Sequence, residues 1–78
     1  MYLAITEVKA LKNFQLLLTF ENGEKRVFDM KPYLEKGVFK DLKNEDLFKT
    51  VKVSFDSIEW SNKADLDPEL LYEKSTAC

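Results

Sequence analysis

The segment F-Q-L-L-L-T-F-E-N-G-E-K-R-V-F-D-M, residues 14–30, constrains the fold of this chain more than any other. Phe14, Leu16, Leu18 and Phe20 recur at every second position, the period of a strand with one buried face. Leu17 adds apolar character to the opposite face, which suits a strand with neighbours on both sides. Asn22-Gly23 then predicts a two-residue type I′ turn, because both residues tolerate positive φ. Residues 25–30, K-R-V-F-D-M, supply the return strand. Residues 2–11 read as a strand that precedes the pair. Their apolar positions slip phase between Ile5 and Val8, which a bulge or a twist there would produce. An antiparallel three-stranded meander follows.

The rest of the chain supplies short helices and a second hairpin. Pro32 suits a first helical position and Gly37 a helix end. Residues 38–50 divide into two helical pieces at Asn44, which can cap the second with Glu45 and Asp46 in its first turn. Phe39, Leu42, Leu47 and Phe48 would then cover one face of the sheet. Val51, Val53 and Phe55 share a face, and a turn at Asp56-Ser57 leads into I-E-W, residues 58–60. At the C-terminal end Asp67 is an N-cap, Pro68 sits at the first helical position and Glu69 lies in the first turn. Leu66 and Leu71 have the spacing of a hydrophobic staple. A helix of about two turns does not stand alone in water, so Leu70 with Leu71 or Tyr72 must dock on the sheet. The fold class is α+β: an antiparallel β-meander and a second hairpin, about five strands in one sheet, with short helices packed on one face and a short C-terminal helix. Residues 1–74 form the single domain and 75–78 a tail.

Absent residue types narrow the chemistry. The chain has no histidine, which removes Ser-His and Cys-His nucleophile pairs and the His-containing zinc sites. Its two glycines, Gly23 and Gly37, are isolated, so no glycine-rich phosphate loop exists. Cys78 is the only cysteine, which excludes an internal disulfide and fits a reducing compartment. An apolar fraction of 45% argues against disorder, and 14 acids against 12 bases give no long-range attraction to nucleic acid. No apolar run approaches the roughly 18 residues of a membrane span. A cytoplasmic protein without catalytic residues, cofactor, metal or membrane contact is expected.

The order of motifs resembles the short bacterial proteins of the domain of unknown function 2442 family. The matching stretches are I-T-x-V at residues 5–8, F-x-N-G-E at 20–24 and Phe28-Asp29. They continue with G-V-F-x-x-L at 37–42, F-K-x-V at 48–51, I-x-W at 58–60 and D-L-x-P-E-x-L-Y at 65–72. Ala64 stands where the family often has glycine. The resemblance implies a compact α+β domain of one antiparallel sheet with short helices. It assigns no activity, and it implies an antitoxin-like binding role, since some members lie beside small toxin-like proteins.

Three residues stand out as candidate partner contacts: Trp60, Asp65 and Tyr72. Tryptophan is enriched at binding hot spots, although a lone Trp at a strand end more often packs in the core. Asp65 has no capping role of its own. The partner expected is another protein, and a sheet edge offers a route to homo-oligomers. A small DNA-associated regulator is the alternative, with Lys9, Lys12, Lys25, Arg26, Lys40, Lys43 and Lys49 as its surface. Those bases alternate with acids, and no basic arm or helix-turn-helix pattern accompanies them.

The alternate acids Asp65, Asp67 and Glu69 also invite a cation, but the helix start already uses two of them. Millimolar calcium or magnesium should therefore leave the melting temperature unchanged. A ligand specific to the folded state adds about 2.7 kcal/mol at a hundredfold excess over its dissociation constant. A clear rise, abolished by Asp65→Asn, would make the segment a cation-binding loop.

Overall fold

A computed structural model describes residues 3–77, apart from the side chains of Val38 and Asp65. Strands β1 (Ile5–Leu11), β2 (Gln15–Phe20) and β3 (Lys25–Asp29) form the expected meander. The register of β1 on β2 shifts between Ile5 and Glu7, so of the bulge and the twist that the phase slip left open the strand has the bulge. Leu16, Leu18 and Phe20 are buried on the inner face of β2. Phe14 instead lies in the turn before β2 with φ of 58°, and its ring meets that of Phe48 edge-on at 5.3 Å.

The first hairpin closes differently from the type I′ expectation. Phe20 N–H donates to the Glu24 carbonyl and Gly23 N–H to the Phe20 carbonyl, both at 2.9 Å. Within this turn only Gly23 has positive φ, at 86°. The loop thus has three residues, with the left-handed position taken by the glycine as in a G1 bulge. Asn22 serves through its side chain, whose Oδ1 accepts the Glu24 N–H at 3.0 Å.

Two 3₁₀ segments, Lys31–Tyr33 and Gly37–Lys43, lead to helix α1 (Glu45–Phe48). Pro32 lies in the first turn of the first, one place after its opening Lys31, whereas Gly37 opens the second rather than ending a helix. Asn44 caps α1 by accepting the Asp46 N–H at 2.9 Å. Leu42 and Phe48 are buried, and Phe39 and Leu47 pack half-buried against the core.

The second hairpin belongs to a separate sheet. β4 (Lys52–Ser54), β5 (Ser57–Glu59) and β6 (Asp65–Leu66) form a three-stranded antiparallel sheet beside a four-stranded sheet in the order β1-β2-β3-β7, where β7 is Thr76–Ala77. The single sheet of about five strands is therefore corrected to two. The sheets meet where the Ile5 N–H donates to the Asp56 carbonyl at 2.9 Å. The hairpin turn lies one residue earlier than expected: Ser54 pairs with Ser57, and the two turn residues are Phe55 and Asp56.

Helix α2 (Pro68–Lys74) starts as its sequence specifies. Asp67 is its N-cap, and the side chain accepts the Glu69 N–H at 2.8 Å. Leu71 is fully buried and Leu66 joins it in the core cluster. The expected tail after residue 74 is a further correction. Thr76–Ala77 form β7, which pairs with Val27 and Arg26 of β3. An edge strand adjacent to a helix terminus lets the main chain of residues 76–77 satisfy its hydrogen bonds on the sheet rather than in water.

Replacing Asp67 with alanine should destabilise the domain by about 1 kcal/mol, the usual effect of losing an N-cap. Thermal or urea denaturation of the variant checks this; an unchanged midpoint would mean α2 does not need its cap.

Candidate functional site

The sequence-proposed contacts fall in different places. Trp60 is fully buried, 0% exposed, and its indole N–H donates to the Phe48 carbonyl at 3.0 Å. The rings of Phe39 and Phe48 lie against it at 6.4 and 6.1 Å. Trp60 is therefore corrected from partner contact to core residue, because burial with a satisfied N–H leaves nothing for a partner to touch. The side chain of Asp65 lies outside the described residues; its backbone pairs with Glu59 in the second sheet.

Tyr72 is half-buried and already engaged. Its hydroxyl donates to Glu24 Oε1 at 2.8 Å, and its ring meets Phe20 edge-on at 5.1 Å. The Arg26 guanidinium lies over the ring, 4.4 Å from its centroid. Arg26 also donates to Glu24 Oε2 at 2.6 Å, to Ser75 Oγ at 2.7 Å and to the Ser75 carbonyl at 2.7 Å. Four residues thus clasp the end of α2 onto β3, through charge-assisted bonds whose planar fork suits arginine. Arg26 consequently leaves the basic surface considered for nucleic acid. Lys43 is paired as well, with Glu35 at 2.5 Å.

The clasp sets two titrations. The Arg26 guanidinium, then the Tyr72 hydroxyl, hold the Glu24 carboxyl below its ordinary value of 4.5. Tyr72, donating to that carboxylate and partly desolvated, is raised above its ordinary 10.0.

A different surface is open, and sequence reasoning missed it. The β4–β5 turn places both Phe55 (φ 49°) and Asp56 (φ 67°) in the left-handed region, the backbone of a type I′ turn. Phe55 is 98% exposed at its tip, and Val53 on the adjoining strand is 39% exposed. These are the large exposed hydrophobics among the described residues. A bulky side chain is unfavourable at positive φ and gains nothing from solvent, so both backbone and side chain are placed against their intrinsic preferences. Period-two patterning had put Phe55 on a strand face with Val51 and Val53. Without Gly or Asn at the turn, no local signal marked the true tip.

Beside the tip lies an open groove of about 480 Å³ that reaches the start of α2. Phe55, Leu66 and Pro68 give it apolar walls, and its charged lining residues are Glu59, Asp67 and Glu69. Ser57 does not offer its hydroxyl there, since it donates to the Leu66 carbonyl and ties β5 to β6. Among the described residues no group of three acidic, cysteine or histidine side chains is arranged to hold a metal ion. No helix among them is long and apolar enough to cross a membrane.

The pH dependence of stability tests the clasp. Glu24, depressed in the folded state, contributes fully above pH 4.5 and loses its contribution as pH falls through its folded value. Tyr72, raised, contributes fully below pH 10.0 and loses its contribution as pH rises through its folded value. Glu24→Gln should flatten the acid limb of the melting-temperature profile and Tyr72→Phe the alkaline limb. Variant profiles parallel to wild type would dissolve the clasp as a pH-dependent element.

A family model described as protein of unknown function (DUF2442) matches residues 5–77. No curated protein matches the chain, and no solved structure does.

Proposed function

This chain belongs to the DUF2442 family of proteins of unknown function, and from that premise we propose that it is a non-catalytic protein-interaction module whose contact surface is the β4–β5 hairpin tip. One observation carries the reading: a 98% exposed phenylalanine held in a left-handed turn. Asparagine or glycine would fit that backbone with less strain and better solubility. Residues held against their conformational preference cluster at functional sites, where the surrounding structure over-determines them. Exposed aromatics are also the side chains that anchor protein interfaces.

The tip is tied to the body of the fold. The tip is hydrogen-bonded to β1 through Ile5, and its strand β5 leads directly into buried Trp60. An antitoxin-like form of the reading, with a small toxic protein as partner, draws on the family resemblance alone. The nucleic-acid reading loses support, because Arg26 and Lys43 are committed to intramolecular partners and the open groove is acidic. Edge-to-edge assembly has one long strand to use: β4, β6 and β7 have three residues or fewer and short edges resist pairing, whereas β1, the other outer strand, runs seven residues.

Phe55→Asn separates stability from binding. The substitution should leave the melting temperature unchanged or raise it, by about 0.5–1 kcal/mol of relieved backbone strain. Affinity capture from lysate of the native host, with tagged wild type and variant run in parallel, should lose its specific protein partners with Phe55→Asn. Identical captures would remove the hairpin tip as the contact surface.

A further inference from the structure

Resting on the reading of the β4–β5 tip as a contact surface, we infer that the groove beside it takes a segment of another protein in which a lysine or arginine adjoins an apolar residue. The charged residues lining the groove are all acidic: Glu59, Asp67 and Glu69. The ion pairs found among the described residues, Arg26–Glu24 and Lys43–Glu35, do not involve them. Lys52 stands opposite Glu59 in the β4–β5 register, yet it is not part of the groove lining and forms no ion pair among the described residues. Asp67 accepts one backbone N–H and keeps its negative charge.

A concave surface of one sign with apolar walls focuses its field and attracts the opposite charge. The apolar half has its own complement. Lysine and arginine carry long aliphatic stems that lie along apolar surface while the charged head stays near water. Phe55 and Pro68 offer such a surface, and the open face of the Phe55 ring can receive a cation directly. An apolar neighbour in the same segment would cover Phe55 and Val53.

The same charges argue against two other occupants. A two-fold dimer through this face would set each patch against its own copy. Glu59, Asp67 and Glu69 would then confront like charges, an arrangement that interfaces avoid. A phosphate backbone meets the same repulsion.

The test selects from a library of short random peptides displayed on phage, using the intact chain as bait. Recovered peptides are then measured by fluorescence anisotropy against wild type, Phe55→Asn and the double variant Glu59→Gln/Glu69→Gln. Asp67 is left in place because it caps α2. Thermal melts establish that both variants fold. Selected peptides should carry Lys or Arg beside an apolar residue, and they should bind more weakly as salt rises. The Gln double variant should bind them about tenfold more weakly, a loss on the scale of two surface ion pairs. Phe55→Asn should lose them as well.

Neutral or acidic peptides, or full affinity for the Gln double variant alongside loss on Phe55→Asn, would overturn the cationic partner and leave the tip as contact surface. Peptides that bind Phe55→Asn as well as wild type would overturn both readings, and so would a selection that enriches nothing. Sedimentation velocity of the chain alone should show a monomer. A dimer dispersed by Phe55→Asn would assign the groove to a second copy and overturn the inference.

Discussion

The structure hangs on a tryptophan whose polar atom is satisfied inside the core. Trp60 buries its whole side chain and still donates its indole N–H to the Phe48 carbonyl. That bond joins the end of β5 to the end of α1, two elements of three and four residues that could not persist alone. The rings of Phe39 and Phe48 bring the preceding 3₁₀ segment and α1 against the indole. With β5 fixed, Ser57 can hold Leu66 in β6. Two residues after Trp60, Asn62 turns the chain by accepting the Ala64 N–H. β6 in turn sets Asp67 at the start of α2. The short elements thus support one another in series, which is how a chain of 78 residues forms two sheets without a disulfide.

Charge is divided between two tasks on opposite ends of the C-terminal helix. At its end, Arg26 gathers Glu24, Tyr72 and Ser75 into a partly buried clasp, and β7 continues along β3 from that point. Multiple bonds to one guanidinium give this cluster directional strength that exposed ion pairs lack. At its start, Asp67 and Glu69 are used mainly through the backbone and the helix dipole, so their charge still faces the groove beside Phe55. A surface for recognition and a fastening for the fold are therefore built from the same residue types. What separates them is whether a cation of the chain itself lies within reach.

The β4–β5 hairpin shows how a contact surface can sit where local rules are broken. A type I′ turn usually carries Asn-Gly, and here it carries Phe-Asp. The backbone accepts this because the hairpin is anchored at two places, β5 by Trp60 and the turn itself by Ile5. The phenylalanine is thereby held out from the body rather than collapsing onto it. The Asn-Gly pair at residues 22–23 does the reverse: its local chemistry is ideal for a two-residue turn, but the pairing of Phe20 with Glu24 imposes a three-residue loop.

The sequence by itself determined the meander, the phase slip near Ile5, the caps at Asn44 and Asp67 and the buried faces of β2 and α2. Those features depend on neighbours within a few residues, through alternation, side-chain-to-backbone bonds and proline geometry. Its motifs also carried the family. Only the tertiary structure decided that Trp60 is core, that Arg26 is a clasp, that residues 76–77 are a strand and that Phe55 stands at a turn tip. The first three turn on a partner far along the chain: Phe48 for Trp60, Ser75 for Arg26, Val27 for Thr76. For Phe55 the deciding fact is the register of β4 on β5, which a shift of one residue reverses in face. Alternation cannot fix that register, because Val51, Val53 and Phe55 fit either a strand or a strand and its turn, and only the packing of Trp60 and Ile58 in the core selects between them.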